Sequence, residues 1–202
     1  MIRQKLPLLG GTLAVFVATL LGAAPGNAES QPSNKLCTHQ FALCTSAPCV
    51  PLPGDASKAI CFCDVEEGKS MSTAACETIE PRTDANGIRT VYSTFSLDQF
   101  GDGKKGKKGK KGMKCPSGTP WTWCLNKPCT VNPADPKHAI CTCDVVRTGE
   151  WMTLGGACDA ATCKTSYWSA APMADFESGN EFMTKALGLP ASPATWCPAD
   201  AR

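Results

Sequence analysis

The amino-acid sequence predicts a small, disulfide-rich, mainly β protein with two tandem homologous modules, each built on a β-hairpin, and a short helix near the C terminus. Three observations point to this fold class. The chain has 14 cysteines among 202 residues, its first residues are typical of an exported protein, and its cysteine pattern occurs twice. With 43% apolar and 19% charged residues, the composition also excludes collagen, a coiled coil and bulk disorder.

Residues 1–28 have the features of a secretory signal peptide. Arg3 and Lys5 precede the apolar residues 12–21, and small residues up to Ala28 suit a signal peptidase. The apolar stretch is too short to cross a bilayer, which needs about 20 residues. We therefore expect cleavage after Ala28, a secreted or periplasmic protein, and no integral membrane segment after cleavage.

Cysteine is the most informative residue of the mature sequence. All 14 cysteines follow the expected cleavage site, and thiols pair in the oxidising compartments that an exported chain reaches. The 14 cysteines predict seven disulfides and no free thiol, although the spacing leaves the pairing open. The candidate disulfide residues are Cys37, Cys44, Cys49, Cys61, Cys63, Cys76, Cys115, Cys124, Cys129, Cys141, Cys143, Cys158, Cys163 and Cys197.

An internal repeat organises the chain. A shift of 80 residues aligns residues 44–65 with residues 124–145 without a gap, and 11 of the 22 positions are identical. Each copy holds six cysteines in the same order, and the two left over, Cys163 and Cys197, are expected to bridge each other. Outside the ungapped block the matched residues are Cys37 with Cys115, Met71 with Met152, Cys76 with Cys158, and Tyr92 with Tyr167.

The repeat places module 1 at residues 29–102 and module 2 at residues 115–202. Residues 103–114 between them form a Lys/Gly tract, which we interpret as a flexible linker because glycine recurs every third residue and the lysines repel one another. Each module is expected to fold by itself. Its disulfides would compensate for the small apolar surface that a unit of this size buries.

Short β-branched segments predict the hairpins. Residues 59–65 and 139–146 are followed by Gly68 and Gly149 and then by a second short segment, which indicates a strand, a turn and a strand in each module. The proline-containing connections before these strands are predicted to be loops. Apolar residues at helical spacing after Pro172 predict the C-terminal helix.

The Lys/Gly tract is the main electrostatic feature. It holds seven lysines and no acid, whereas the rest of residues 29–202 has 11 basic and 18 acidic residues, a net charge of −7. Three interpretations are open: a soluble spacer, a polybasic arm that docks on an anionic polymer or surface, and a protease site that separates the modules. The candidate binding residues are Lys104, Lys105, Lys107, Lys108, Lys110, Lys111 and Lys114.

The tryptophans predict a second candidate surface. All five lie in module 2, and the repeat matches Trp151 with Ser70 and Trp123 with Leu43, so the fold does not require Trp at these positions. Exposed rings would suit a protein or glycan ligand, whereas buried rings would fill a small core. The candidate binding residues are Trp121, Trp123, Trp151 and Trp168.

The sequence favours a binding protein over an enzyme. It has no recognisable catalytic fingerprint, and His39 and His138 are not equivalent in the repeat, so we predict no catalytic residue, cofactor or resident metal. We expect an exported, non-catalytic tandem-repeat binding protein. The alternatives are a protein that binds a soft metal ion such as copper or exchanges thiols, and a secreted protease inhibitor with residues 50–58 or 130–137 as its bait loop.

Overall fold

Strands dominate the structure, which confirms the prediction of a mainly β, disulfide-rich protein. A computed structural model describes residues 33–102, 107–154 and 167–197, which we call the first half (33–102) and the second half (107–197). The strands within these ranges are β1 (Lys35–Leu43), β2 (Pro48–Leu52), β3 (Asp55–Ser72), β4 (Arg82–Thr83), β5 (Arg89–Ser96), β6 (Gly101–Asp102), β7 (Lys107–Lys108), β8 (Gly112–Cys115), β9 (Trp121–Trp123), β10 (Pro128–Val131), β11 (His138–Val146), β12 (Trp151–Thr153), β13 (Tyr167–Pro172) and β14 (Ala194–Trp196).

The predicted C-terminal helix is present. Helix α1 (Met173–Glu181) begins directly after Pro172 and continues as a π-helical turn, Phe182–Ala186. Its Gly179 is buried, and a Cβ atom there would lie 2.8 Å from the Met71 methyl group. The glycine therefore lets the helix approach the sheet closely, at the cost of some helix propensity. Two short 3-10 helices, Cys76–Thr78 and Leu97–Phe100, lie in the first half.

The predicted pattern of strand, turn and strand holds only in the second half. There β11 ends before Gly149, whose φ is +78°, and β12 follows. In the first half, β3 runs uninterrupted for 18 residues through Gly68, so the prediction is wrong for that half. Nine residue pairs between β1 and β3 support this long strand. The matching segment of the second half is one residue longer than that of the first half.

The proline-containing connection of the first half was also predicted incorrectly. Residues 50–58 are not an irregular loop, because β2 and β3 pair as a hairpin around Pro53 and Gly54. Gly54 has a φ of +84°, a conformation that glycine adopts at little steric cost. The connection between β10 and β11 is a turn that begins after Val131.

The two halves join through an antiparallel pairing of β3 with β11. Residues 58–64 lie opposite residues 144–138, with Cys61 directly opposite Cys141. Strand pairing closes two circuits that share these strands: β3, β11, β10, β5 and β1, and β11, β3, β2, β13 and β9. Because β10 completes the first circuit and β2 the second, the halves do not pack as two separate bodies. The expected module boundary therefore does not separate two packed bodies, while the expectation that each module folds by itself stays a prediction.

Strand register also corrects one part of the sequence alignment. Cys49 lies opposite Tyr167, and Cys129 lies opposite Val91. Tyr167 therefore occupies the position of Val91 and not that of Tyr92. The sequence match relied on a shared Thr-x-Tyr pattern, but the register is determined by the strands on either side.

Three buried clusters form the core. The largest lies on the cysteine side of β3 and β11, the second contains Trp121 and Trp151, and the third lies beneath α1 around Phe176 and Met183. Along the central strands the burial alternates residue by residue, as expected when one face of a sheet is buried and the other meets solvent.

Candidate functional site

Most of the described Lys/Gly tract is attached to the fold. Strand β7 pairs with β6, the Lys110 amide donates to the Gln99 carbonyl at 2.7 Å, and β8 pairs with both β12 and β14. The interpretation of 103–114 as a flexible linker is therefore wrong for residues 107–114. Lys104 and Lys105 lie outside the described residues.

Glycine and one methionine explain why this tract packs. A Cβ atom at Gly109 would lie 2.5 Å from the Phe100 carbonyl oxygen, and one at Gly112 would lie 2.9 Å from the sulfur of Met152. Glycine at both positions permits this close backbone approach. Met113 is 6% exposed and packs with the tryptophan cluster. As the one apolar side chain of the tract, Met113 is the signal that could have predicted this docking.

The docked tract presents lysines without acidic partners. Lys110 and Lys111 are exposed, and Lys114 is half-buried. Among the ion pairs of the described residues, none includes these three lysines. Unpaired ammonium groups remain available to an external anion. For Lys107 and Lys108 only the backbone is described, in β7.

An exposed tryptophan adjoins these lysines. Trp196 is 48% exposed on β14, and the Lys114 Nζ lies 5.7 Å from its ring centroid, within the range of a cation–π contact. The parallel pairing of β14 with β8 places Trp196 opposite Lys114. We call Lys110, Lys111, Lys114 and Trp196 the lysine edge. The sequence prediction left out Trp196, although its position beside Cys197 indicates a fixed segment.

The four predicted binding tryptophans form one cluster, in which two are buried and two are half-buried. Trp121 and Trp151 are 2% and 0% exposed, and their rings stack with centroids 6.3 Å apart. Trp123 and Trp168 are half-buried and pack against the same cluster, and Trp168 Nε1 donates to the Thr153 hydroxyl at 3.0 Å. Burial therefore rules out Trp121 and Trp151 as an exposed aromatic surface, whereas ligand binding by the half-buried Trp123 and Trp168 stays a prediction.

The described cysteines are all oxidised. Four bridges line the buried side of the central strands, in two matched pairs with sequence separations of 19 and 12, and a fifth joins Cys37 to Cys76. Cys115 and Cys197 are also disulfide-bonded, with 3.6 Å between their own sulfur atoms. Cys158 and Cys163 lie outside the described residues, as does the expected Cys163 to Cys197 bridge. The four central bridges are Cys44–Cys63, Cys49–Cys61, Cys124–Cys143 and Cys129–Cys141.

Sulfur atoms from the two halves lie close together. The Cys44 Sγ is 3.2 Å from the Cys141 Sγ, and the sulfurs of Cys61, Cys124 and Cys143 lie within 4.8 Å of one another. This crowding would suit a soft metal only after reduction, because the thiolate is the form of cysteine that binds metals. Metal binding and thiol exchange therefore require that buried bridges open first.

Two ion-pair groups flank the exposed side of the central strands. Asp144 accepts hydrogen bonds from Lys127 at 2.6 Å and from Lys58. Partial burial alone would raise the pKa of Asp144, but these two hydrogen bonds outweigh it and hold the pKa below its ordinary value. At the other end, His138 lies between Asp135 and Asp64, at 2.7 and 3.5 Å.

The two candidate bait regions differ, because residues 50–58 are mostly strand whereas residues 132–137 lie between strands. Residues 50–58 form the β2 to β3 hairpin, and residues 130–137 form the end of β10 and the turn before β11. Asp55 and Asp135 each accept a backbone hydrogen bond within the turn, the usual way in which aspartate fixes a tight turn. Nothing in this geometry distinguishes an inhibitor loop from an ordinary hairpin.

Comparison with known proteins finds no family model, no curated protein and no solved structure that matches this chain. Within the described ranges, no helix has the length and apolarity that crossing a membrane requires.

Proposed function

We propose that this protein is an exported, non-catalytic binding protein that associates with anionic polymers or surfaces through its lysine edge. The observation that carries the proposal is the presentation of Lys110, Lys111 and Lys114 without acidic partners, beside the exposed ring of Trp196. The Lys110 backbone is hydrogen-bonded to Gln99 and Lys114 lies on β8, and a lysine on a fixed backbone loses less freedom on binding than one on a free arm.

Charge segregation supports this function. The tract of residues 103–114 carries seven lysines, while the rest of residues 29–202 has a net charge of −7. A surface with both signs interspersed would serve solubility equally well. A cluster of one sign raises the association rate with an oppositely charged polymer and yields an affinity that depends on salt.

Export and duplication complete the proposal. Residues 1–28 would direct the chain out of the cytoplasm and into an oxidising compartment. The buried disulfides would persist in that compartment. The matched bridges, with separations of 19 and 12 in each half, favour two homologous modules that arose by duplication. The shared strands β3 and β11 mean that these modules would now act as one folded unit.

A salt titration with inorganic polyphosphate as the probe tests the lysine edge. The test variant carries Lys110→Ser, Lys111→Ser and Lys114→Ser. The matched control carries Lys69→Ser, Lys137→Ser and Lys185→Ser, which removes the same charge from exposed lysines elsewhere. Affinity is measured between 50 and 200 mM salt, the range over which about six to ten phosphate contacts cost roughly 10³ to 10⁵ in affinity.

The two variants should respond differently. We expect the test variant to bind more weakly and to lower the slope of log affinity against log salt by about 0.7 to 0.9 for each phosphate that is no longer neutralised. The control variant should keep the slope of the unmodified protein. Equal slopes for all three proteins, or a flat salt response, would refute the proposed function.

A further inference from the structure

The solvent side of the central strands carries an unusual apolar surface. Among the described residues, Val50, Phe62 and Ile140 are large hydrophobic side chains that are 47%, 50% and 47% exposed. Phe62 lies directly opposite Ile140, and Ile60 lies opposite both Val50 and Thr142. We call these five residues the outer patch.

The outer patch contributes little to the core. Burial alternates strictly along the central parts of β3 and β11, so Cys61 and Cys141 face inward while Phe62 and Ile140 face solvent. The buried bridges already close the inner side. An exposed apolar surface that the core does not use commonly marks an interaction site.

Charges of opposite sign border the two ends of the outer patch. At one end lie Lys58 and Lys127 with Asp144, a net charge of +1. At the other end lie Asp64, Asp135 and Lys137 with His138, a net charge of −1 when the histidine is neutral. The patch is therefore dipolar along the strand direction.

We propose that the outer patch binds the outer patch of a second copy of this chain. A two-fold axis that lies between the two facing sheets, parallel to them, and runs across the strands reverses the strand direction. It places apolar centre on apolar centre and the Lys127 end of each copy on the Asp135 end of the other. A two-fold axis along the strands would instead bring like charges together, which is costly. The interface is isologous, because both copies contribute the same surface.

The small size of the patch indicates a weak dimer. The patch covers three strands, β2, β3 and β11, and three strands spaced about 4.8 Å apart with seven residues at about 3.4 Å each span roughly 340 Å² per copy. A stable interface buries about 800 Å² per partner. Because the patch is less than half of that size, we expect a weak dimer that is populated only at high protein concentration.

Sedimentation equilibrium of the intact protein, from about 10 µM to 1 mM, tests the apolar contact. Phe62→Thr introduces the residue type that stands at the matching position, Thr142, and so suits the fold. It should weaken the dimer at least about tenfold. The matched control is Ile88→Thr, which alters a side chain that is 49% exposed away from the patch and should leave the dimer unchanged. A protein that stays monomeric to 1 mM, or an equal effect of both variants, would overturn the proposal.

A charge swap tests the orientation of the two copies. Lys127→Glu and Asp135→Lys should each weaken self-association, because each creates like charges across the two-fold axis. An equimolar mixture of the two variants should restore association as a heterodimer. In that heterodimer the introduced glutamate faces the introduced lysine, and the native Asp135 of one copy faces the native Lys127 of the other. A mixture that associates no better than either variant alone contradicts the interface.

Discussion

In the first half of the chain, Ser70 lies opposite Cys37, while at the same place in the second half Trp151 lies opposite Cys115. The bridges around these positions match, with separations of 19 and 12 in both halves. The surroundings do not match, since, within the described ranges, the tryptophan cluster, the α-helix and the lysine edge all belong to the second half. The shared residues therefore hold the sheet together, and the residues that differ are where a specialised function would arise.

The largest expected effect concerns whether the halves can be separated. We expect the fragments to stay associated after cleavage at a protease site placed in residues 103–106, because β3 and β11 form seven residue pairs and each half completes the strand circuit of the other. The measurement is size-exclusion chromatography of the cleaved, unreduced protein. Two folded fragments that elute separately without denaturant would show that β3 and β11 do not hold the halves together.

Replacing two tryptophans with alanine, one at a time, should distinguish a core position from a surface position. Trp151→Ala should lower the free energy of unfolding by about 3 to 5 kcal/mol, because the ring is fully buried. Trp196→Ala, at a side chain that is 48% exposed, should change it by less than about 0.5 kcal/mol. Urea denaturation measures both. Similar destabilisation by the two variants would contradict the assignment of Trp151 to the core and Trp196 to the surface.

Removal of matched bridges should affect both halves equally. Replacing Cys49 and Cys61 with alanine, or Cys129 and Cys141, opens a loop with a sequence separation of 12 in either case. Each removal should cost about 2 to 4 kcal/mol in unfolding free energy. Denaturant titrations of the two double variants should agree to within about 1 kcal/mol. A much larger loss of unfolding free energy in one half would mean that the matched disulfides do not stabilise the two halves equally.

The smallest expected effect concerns Asp175, which has no counterpart in the described part of the first half because α1 belongs to the second. Burial beside Met71 and Phe176 raises the pKa of the Asp175 carboxyl. The folded state then binds the proton more tightly than the unfolded state does, so stability falls as pH rises from the ordinary aspartate pKa through the raised value.

Asp175→Asn should therefore increase stability at neutral pH and remove this part of the pH dependence. Thermal denaturation between about pH 3 and pH 7 provides the measurement, with Asp98→Asn as a control at an exposed aspartate of the first half. If the two variants respond alike, burial of Asp175 is not the cause.

Much of the framework could be predicted from the sequence, and the reasons are local. The alternation of Cys61 and Cys63 with exposed residues predicts a strand with one buried face, and Pro172 predicts the start of α1. The pairing of β3 with β11 could not be predicted in this way. The alternation of buried and exposed residues in a strand shows which face is buried, but it does not show which distant strand lies beside it.

The lysine edge was misread for a related reason. Glycine at every third position is typical of a flexible linker, but Gly109 and Gly112 are also what lets the tract approach Phe100 and Met152. Composition alone does not distinguish these two uses of glycine. The burial of Trp121 and Trp151 was also not predicted. A tryptophan that has no counterpart in the first half can still fill the core of the second half.

Lysine footprinting tests most directly whether the lysine edge, the part without a counterpart in the first half, carries the binding function. The intact protein is acetylated at low salt with and without inorganic polyphosphate, and the modified lysines are located by mass spectrometry. The account predicts reduced acetylation at Lys110, Lys111 and Lys114, with Lys69, Lys137 and Lys185 unchanged. Protection spread evenly over both groups, or confined to the second, would contradict it.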